Sequence, residues 1–423
     1  MSENQSKIDI ERDVNIHLEN KGISRTFFWF LWVMYAVVSM TKNCYNSSLA
    51  SIVADGVLTK SQTGAITALF YLAYTPLQVV GGTCADKYSP EKLIKIGLIG
   101  ATVSNTVIFF CQNYYVMLAS WVFNGIIQFG IWPSIFKIVS SQLVRSDRSR
   151  MIFYLSFTST AGFLISYLIG AVVSDWKYNF AISAISLLVF AVALHIAEKR
   201  VNPFMKWDKI ETGSSSADKL EGRSKLQIFG ASGFFVMLLM VVLVVTVSQS
   251  RSTLTSVMFV ENYDNVSPSL GNVLTALLLV AGIVGNLVAR KFVANSKNEL
   301  LSLVLVYGAM LPFFVACIFV GKLPIAVMVA MFAVIACLEA VAALLRNYYT
   351  MYFTRYGLSG SAAGIINAGA AFSFMLAAYV MPRIIELFGW RVFMISLPVM
   401  IAVSIALILL IVKRFANFKS SAL

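Results

Sequence analysis

The sequence predicts an all-α membrane protein with twelve transmembrane helices in two pseudo-symmetric six-helix bundles. Composition gives the class: 58% of the 423 residues are hydrophobic, 13% are charged, and the mean hydropathy is +0.78. Soluble domains carry about twice that share of charged residues. Apolar segments long enough to cross a hydrocarbon core of about 30 Å recur along the chain. A polar, basic interval near the middle divides these segments into two equal groups.

Each predicted span is an apolar segment of about 20 residues or more, which is the length that a transmembrane helix needs. In the first half, the spans are predicted at 27–53, 62–83, 93–112, 114–140, 149–174 and 177–197. In the second half, they are predicted at 232–260, 270–289, 299–320, 323–347, 359–382 and 391–413. Six spans on each side of the interval predict two bundles of equal size, at 27–197 and 232–413.

The interval 198–231 is rich in Lys and Arg around the flexible segment GSSSAD, and we interpret it as a cytoplasmic linker. Most other Lys and Arg residues flank the same ends of the spans. The positive-inside rule therefore places both tails, 1–26 and 414–423, in the cytoplasm of a protein of the cell (inner) membrane. The net charge of +13 follows from this topology. No nucleic-acid partner is expected, because no soluble domain presents a basic face.

The sequence predicts neither an enzyme nor a bound cofactor or metal. The five cysteines have no metal-ligand spacing and lie in or beside apolar segments. The spans supply no combination of nucleophile, base and orienting group. A glycine-rich phosphate-binding loop is also missing from the sequence, so energy from ATP is not expected.

Two cations interrupt the apolar runs: Lys42 in the first span, and Arg251 in the run that begins near Gly233. A charge at such a depth costs about 3 kcal/mol on insertion scales. One cation in each half predicts a binding site for an anion, so a small anionic solute is the expected partner. The alternatives are that Lys42 extends its amino group to the lipid headgroups, and that Arg251 lies near the outer interface.

The segment GTCADKYSPEK, from Gly82 to Lys92, lies between the second and third spans. It resembles the signature loop of the major facilitator superfamily, in which two six-helix halves move around a central site. The resemblance implies the major facilitator fold, and it implies that Asp86 and Lys87 act in a cytoplasmic gate and do not contact substrate.

A closer resemblance, to the organophosphate:phosphate antiporter family, covers most of the membrane portion. It is carried by Tyr35, Ala36 and Lys42, by the segment NGIIQFGIWP (124–133), and by GSAAGIINAGAAFSF (360–374) with FGW (388–390). Lys42 and Arg251 lie where that family has substrate-binding arginines, and Lys137 lies where a further arginine is usual. The resemblance implies a monomer that exchanges an organophosphate for inorganic phosphate.

Two departures weaken the prediction of a phosphorylated substrate. Ser159 lies where members that carry sugar or glycerol phosphates have a histidine. Lys42 replaces an arginine, and an ammonium group lacks the planar fork that a guanidinium offers to phosphate. A carboxylate or a sulfonate therefore fits nearly as well.

Further candidates are polar or aromatic side chains within the spans. Tyr35, Tyr45, Gln128, Trp132, Ser159 and Asn367 are predicted to bind substrate, with packing or helix-to-helix hydrogen bonding as the alternative. Lys137 and Arg346 are interpreted as gating or interfacial residues. Glu339 lies near the middle of its span, where it either carries a coupling proton or forms a fixed pair with Arg251 or Arg346.

The predicted function is secondary active transport of a small organic anion by alternating access, in exchange for inorganic phosphate. One alternative is a proton-coupled symporter of a carboxylate or sugar acid. A second, from another class, is a transporter-like receptor that senses its ligand. A cation or drug exporter would need acidic residues in place of Lys42 and Arg251.

Overall fold

The computed structural model describes residues 21–139, 143, 151, 154–155, 157–173, 175–201, 225–294, 298–351, 353 and 359–420. Throughout these residues the regular structure is helical. The helices of the first half are α1 (Lys21–Ala54), α2 (Lys60–Lys87), α3 (Pro90–Phe110), α4 (Tyr114–Ile127), α5 (Ile131–Lys137), α6 (Thr158–Val172) and α7 (Lys177–Val201). Those of the second half are α8 (Lys225–Ser232), α9 (Phe234–Asn262), α10 (Pro268–Ala294), α11 (Glu299–Cys317), α12 (Ile325–Met351) and α13 (Ser359–Ser420).

Local sequence explains where several helices begin. Asn113 precedes α4, and its side chain accepts a hydrogen bond from the amide of Tyr115 at 3.0 Å. Asn298 caps α11 in the same way, through the amide of Leu301 at 3.2 Å. Such caps satisfy amides that have no partner within the first turn.

Two glycines with positive φ divide long apolar runs in the second half. Gly233 (φ 77°) separates α8 from α9, and Gly389 (φ 78°, ψ 172°) interrupts α13. Residues with a Cβ atom are disfavoured in this conformation, so glycine is the residue that allows the bend. The bend in α13 falls between the predicted spans 359–382 and 391–413.

The all-helical membrane class is confirmed. Among the described residues, nine helices are long and apolar enough to cross a membrane, and one of these runs from Ala368 to Phe418 through the bend. The apolar helix α6 is shorter and covers the second part of the predicted span 149–174. Helix α2 contains the predicted span 62–83 but is not among the nine. The number twelve stays a prediction.

The chain divides into two compact units. The first consists of Met1–Ser48 and Ala73–Thr212, and the second of Leu49–Leu72 and Gly213–Leu423. Each has its own apolar core, centred on residues such as Leu31 and Ile135 in the first unit and Met237 and Phe332 in the second. In this division residues 49–72 belong with the second half, whereas the predicted first bundle, 27–197, includes them. The predicted linker at 198–231 stays a prediction.

The segment Leu49–Leu72 is held in the second unit by polar and apolar contacts. Lys60 forms an ion pair with Glu261 at 2.8 Å, and the amide of Ser61 donates to Glu386 at 2.7 Å. A Cβ atom at Gly64 would lie 2.3 Å from the carbonyl oxygen of Ala378. The start of α2 therefore lies directly against α13.

The helices extend beyond the predicted bundle limits. Helix α1 includes residues from Lys21 onward, within the predicted tail 1–26, and α7 includes residues up to Val201. Helix α8 lies inside the predicted linker, and α13 continues to Ser420, within the predicted tail 414–423. Polar residues at these ends continue helices whose apolar parts end earlier, so each of these helices is longer than its apolar part.

Candidate functional site

Lys42 lies half-buried on α1 and contacts two tyrosines. Its amino group donates a hydrogen bond to the Tyr74 hydroxyl at 3.0 Å. It also lies 4.7 Å from the centre of the Tyr74 ring and 5.7 Å from that of Tyr35, which are cation–π distances. Among the described residues, no carboxylate oxygen lies within 4.0 Å of this amino group. The positive charge is therefore held by aromatic rings and a hydroxyl, without a fixed negative partner.

Besides Lys42, two predicted residues lie beside Tyr35. The Tyr35 ring packs against Trp132 of α5, with ring centres 4.7 Å apart. Ser159 of α6 lies within hydrogen-bonding reach of the Tyr35 side chain, and its hydroxyl accepts a hydrogen bond from Ser39 at 3.5 Å. The structure thus gathers Lys42, Tyr35, Trp132 and Ser159, together with Tyr74, into one group, which we call the Lys42 group.

Tyr45 and Gln128 lie elsewhere in the first unit. Tyr45 is 1% exposed and packs against Trp121 and Phe180, with ring centres 5.3 and 6.4 Å away. Gln128 is fully buried and donates to the Asn124 side chain at 2.5 Å. Tyr45 therefore packs among aromatic rings, whereas the Gln128 hydrogen bond joins residues four positions apart at the end of α4 and does not link two helices. Substrate binding by either residue stays a prediction.

A glycine allows α6 to approach α1 beside Lys42. A Cβ atom at Gly162 would lie 2.3 Å from the carbonyl oxygen of Ala36 and 2.7 Å from the amide nitrogen of Met40. Both distances are shorter than real side chains show. Gly162 therefore sets how closely Ser159, on the same helix, can lie to Tyr35.

In the second unit, Arg251 of α9 forms an ion pair with Glu339 of α12. Arg251 Nη2 lies 2.5 Å from Glu339 Oε2, and Nε lies 3.3 Å from Oε1. Their side chains are only 7% and 9% exposed. This two-point contact matches the planar fork of a guanidinium to both oxygens of a carboxylate. Of the two partners that the sequence offered for Glu339, the structure selects Arg251.

A buried aromatic ring and a close helix contact lie near this pair. The guanidinium carbon lies 6.0 Å from the centre of the Phe332 ring, one of the largest fully buried side chains. A Cβ atom at Gly285 of α10 would lie 2.6 Å from the Cα and carbonyl oxygen of Cys337, near Glu339 on α12. The pair therefore lies beside a buried aromatic ring, next to a close approach of α10 to α12.

Arg346 lies two turns beyond Glu339 on α12, and its Nη1 donates to the Tyr307 hydroxyl at 2.8 Å. It is the last residue of its candidate span. Its gating or interfacial role stays a prediction. The side chains of Asp86, Lys87, Lys137 and Asn367 lie outside the described part of the structure, although their backbones are helical. Within the described residues, no group of three His, Cys, Asp or Glu side chains could hold a metal ion.

The predicted site omits two residues that lie against Lys42 and Arg251. Tyr74 contacts Lys42 from α2, and Phe332 lies beside Arg251 from α12. For Tyr74 the available signal was a hydroxyl-bearing aromatic within a predicted span. For Phe332 the sequence carried no signal, because one phenylalanine in an apolar run resembles any other.

Comparison with known proteins identifies the family. The sequence profile of the Major Facilitator Superfamily matches residues 31–367. Solved structures give the same fold: a bacterial homolog of the human lysosomal transporter Spinster, in an inward-facing and unoccupied conformation, superposes with a TM-score of 0.70 at 15% identity, over 94% of this chain and 99% of that one. A D-xylose-proton symporter superposes with a TM-score of 0.68 at 12% identity, over 90% and 96%. The chain belongs to the Major Facilitator Superfamily and is a multi-pass membrane protein.

Curated relatives share shorter stretches. The membrane sensor protein UhpC of Escherichia coli (strain K12) is 27% identical over 118 residues, which are 28% of this chain and 27% of the relative. A probable hexose phosphate transport protein of Chlamydia trachomatis is 24% identical over 173 residues, 40% of this chain and 37% of the relative. The matches thus span between a quarter and two-fifths of the length of these relatives. These matches support the resemblance to the organophosphate:phosphate antiporter family that the sequence predicted.

Proposed function

We propose that this protein is a secondary active transporter of a small organic anion, and that Lys42 is the residue that binds the anionic group. The single observation that supports this most is the environment of Lys42. Its amino group is half-buried among tyrosines and, within the described residues, has no carboxylate within ion-pair distance. The position is polar enough to hold a charge and leaves the neutralising partner to be supplied by a ligand.

The physical reason is the cost of an isolated charge in a low-dielectric interior. A buried ion without a counter-ion loses hydration that hydroxyls and ring faces replace only in part. A bound anion restores the balance, because two opposite charges attract strongly where water is excluded. The Lys42 group would then supply the charge, the Tyr74 and Ser159 hydroxyls would donate hydrogen bonds, and the Trp132 and Tyr35 rings would contact the apolar part of the solute.

Coupling follows from the same charge. If the unloaded carrier must change conformation with Lys42 uncompensated, its barrier is higher than that of the loaded carrier. Transport then takes place as exchange of one anion for another, with inorganic phosphate as the proposed counter-substrate. The orientation with both termini in the cytoplasm of the inner membrane, and the monomeric state, belong to this proposal.

Proton-coupled symport of a carboxylate or sugar acid is the second candidate, and the buried Glu339 is the observation that favours it. Protonation of Glu339 would leave Arg251 without its partner and able to attract a substrate anion. Exchange and symport differ in one measurable respect. Symport of an anion with protons responds to a pH gradient across the membrane, whereas exchange requires an anion on the opposite side.

A ligand-sensing receptor is the candidate from another class, because one of the matched relatives is a membrane sensor protein. Such a receptor would bind the same anions without carrying them. Binding in detergent together with the absence of uptake into proteoliposomes would favour this candidate over transport.

The experiment measures the melting temperature of the purified protein with organic phosphates, sugar acids, carboxylates, sulfonates and neutral sugars, followed by uptake into proteoliposomes. A ligand that binds the native state raises the melting temperature by mass action. We expect at least one anion to stabilise the wild type and Lys177→Met, which changes an exposed lysine paired with Asp175. Lys42→Met should lose this stabilisation. The proposal fails if only neutral sugars stabilise the protein or if Lys42→Met responds like wild type.

A further inference from the structure

We propose that the organic part of the substrate is aromatic, and that Trp132 and Phe136 bind it through their rings. The inference rests on the proposed function, since it describes the solute whose anionic group Lys42 binds. Every residue that it uses lies in the first compact unit. Its basis is a row of rings that begins beside the Lys42 ammonium group, together with the hydrogen bonds that surround this group.

The row consists of Tyr35, Trp132 and Phe136, which we call the aromatic row. Tyr35 precedes Lys42 by seven positions on α1, so the two residues lie on the same face of the helix, two turns apart. The Lys42 amino group lies 5.7 Å from the centre of the Tyr35 ring. Trp132 and Phe136 lie four positions apart on α5, which places their side chains beside each other. Helical spacing thus forms each of the two parts of the row.

Packing of α5 against α1 joins the two parts. The ring centres of Tyr35 and Trp132 lie 4.7 Å apart, and those of Trp132 and Phe136 lie 6.2 Å apart. Both distances are typical of aromatic pairs. Exposure increases along the row, because Tyr35 is 7% exposed, Trp132 is partly buried and Phe136 is 42% exposed. The row therefore leads outward from the ammonium group and presents ring surface to a neighbouring molecule.

The hydroxyls beside the ammonium group already take part in hydrogen bonds within the protein. The Tyr74 hydroxyl accepts from Lys42 at 3.0 Å, and the Ser159 hydroxyl accepts from Ser39 at 3.5 Å and lies within reach of Tyr35. A sugar-like solute would need a hydrogen-bond partner for each hydroxyl that it buries here, whereas an aromatic ring needs none. The Lys42 group therefore suits an aromatic solute better than a polyhydroxylated one.

The rings of the row also favour an aromatic solute over an aliphatic one. Any apolar solute gains from the burial of its surface against Trp132 and Phe136. An aromatic solute gains in addition from offset or edge-to-face packing with these rings, which raises affinity by about twofold to tenfold. We therefore expect an aromatic acid or an aryl phosphate, with its anionic group at Lys42 and its ring on the aromatic row.

The test measures the affinity of the detergent-purified, full-length protein for two pairs of anions that share an anionic group: benzoate with gluconate, and phenyl phosphate with glucose 6-phosphate. We expect the aromatic member of at least one pair to bind about tenfold or more tightly than its sugar-derived partner. Cyclohexanecarboxylate, which is apolar but not aromatic, should bind about twofold to tenfold more weakly than benzoate. The inference is refuted if neither aromatic anion binds more tightly than its sugar-derived partner.

Two phenylalanines of similar exposure in the same unit provide a matched comparison: Phe136 is 42% exposed and Phe123, on α4, is 40% exposed. Phe136→Leu should weaken binding of the preferred aromatic anion by about threefold or more, because it removes a ring of the row. Phe123→Leu should leave this affinity unchanged. Equal affinities of the two variants would show that the aromatic row does not bind the solute.

Trp132→Leu removes the central ring of the row and should weaken binding of the same anion by about tenfold. Sugar-derived anions should lose less affinity than aromatic ones in this variant. The wild-type preference and the exposed position of Phe136 test the inference even if Trp132→Leu fails to fold. An equal loss for both classes of anion in folded Trp132→Leu would contradict ring-on-ring binding.

The same data separate this inference from the proposed function. If sugar-derived anions bind best and Lys42→Met abolishes their binding, the protein still binds anions through Lys42, and only the aromatic class of the substrate is refuted. If Lys42→Met binds every tested anion as the wild type does, the proposed function fails, whichever class of anion binds more tightly.

Discussion

Lys42 in the first unit and Arg251 in the second are cations inside apolar helices, but their surroundings differ. Arg251 is 7% exposed and held at two points by Glu339. Lys42 is half-buried and held by the hydroxyl and ring of Tyr74 and the ring of Tyr35. The charge of a cation that already has a carboxylate partner is balanced within the protein, whereas a cation held only by neutral groups retains attraction for an anion.

The side-chain chemistry of the two residues accords with this difference. The planar guanidinium matches both oxygens of a carboxylate, which favours a permanent pair. An ammonium group is a compact point charge that binds ring faces and hydroxyls and can take a further acceptor. Each of the following predictions tests this contrast, from the largest expected effect to the smallest.

Replacing either cation with methionine should separate structural from functional roles. Arg251→Met leaves the Glu339 carboxylate buried and unpaired, so we expect the free energy of unfolding to fall by about 3–5 kcal/mol. Lys42→Met loses one hydrogen bond, and its free energy of unfolding should change by less than about 1.5 kcal/mol. Unfolding by a denaturing detergent measures both values. Equal losses for the two variants would abolish the contrast.

Removing both members of the ion pair should be far less harmful than removing one. In Arg251→Met with Glu339→Leu no buried charge is left unpaired, so stability should return to within about 1–2 kcal/mol of the wild type. A double-mutant cycle with the two single variants gives the coupling energy, which we expect to exceed about 2 kcal/mol. Additive effects of the two substitutions would show that the pair contributes nothing.

Alanine at the glycines of close helix contact should destabilise both units. Gly162 faces α1 beside Lys42, and Gly285 faces α12 near Glu339. A Cβ atom at either position overlaps backbone atoms, so a loss of about 1–3 kcal/mol is expected from each substitution. Only Gly162→Ala should also weaken anion binding, because it displaces α6 from α1.

Gly308 provides the matched control for these glycines. It lies within α11, and a Cβ atom there would meet no atom within 4 Å. Gly308→Ala should therefore leave binding unchanged and raise stability by up to about 1 kcal/mol, through helix propensity. A loss as large as that of Gly162→Ala would mean that alanine harms these helices for a reason other than close contact.

Tyr74→Phe removes the hydroxyl that binds Lys42 and keeps the ring. We expect affinity for the stabilising anion to fall by roughly fivefold, because the anion loses one hydrogen bond worth about 1 kcal/mol. Stability should be nearly unchanged. Titration of the anion with melting temperature as the readout checks the prediction, and an unaltered affinity would place the anion away from Tyr74.

The ion pair between Lys60 and Glu261 should contribute least. Its side chains are 22% and 26% exposed, in contrast to the buried pair in the same unit. Exposed pairs contribute about 0–1 kcal/mol, so Lys60→Met should lower stability by no more than that. A loss comparable to that of Arg251→Met would mean that exposure does not distinguish the two pairs.

Much of the fold could be predicted because hydropathy is a property of consecutive residues. Apolar segments of sufficient length predicted the positions of most helices, and Gly389 bends α13 between the predicted eleventh and twelfth spans. The ends of the helices do not follow from hydropathy, because polar residues extend helices such as α1 and α7 beyond their apolar parts. The packing of Leu49–Leu72 with the second half was not predicted, since it depends on contacts between residues far apart in sequence.

The sequence by itself determined that this is a helical membrane protein with a cation inside an apolar segment of each half, because length, hydropathy and charge are read along the chain. Only the tertiary structure decided what each cation contacts. Arg251 and Glu339 lie 88 positions apart, and Lys42 and Tyr74 lie 32 apart. Whether such side chains meet depends on which helix faces pack together and how closely glycines such as Gly162 and Gly285 let them approach.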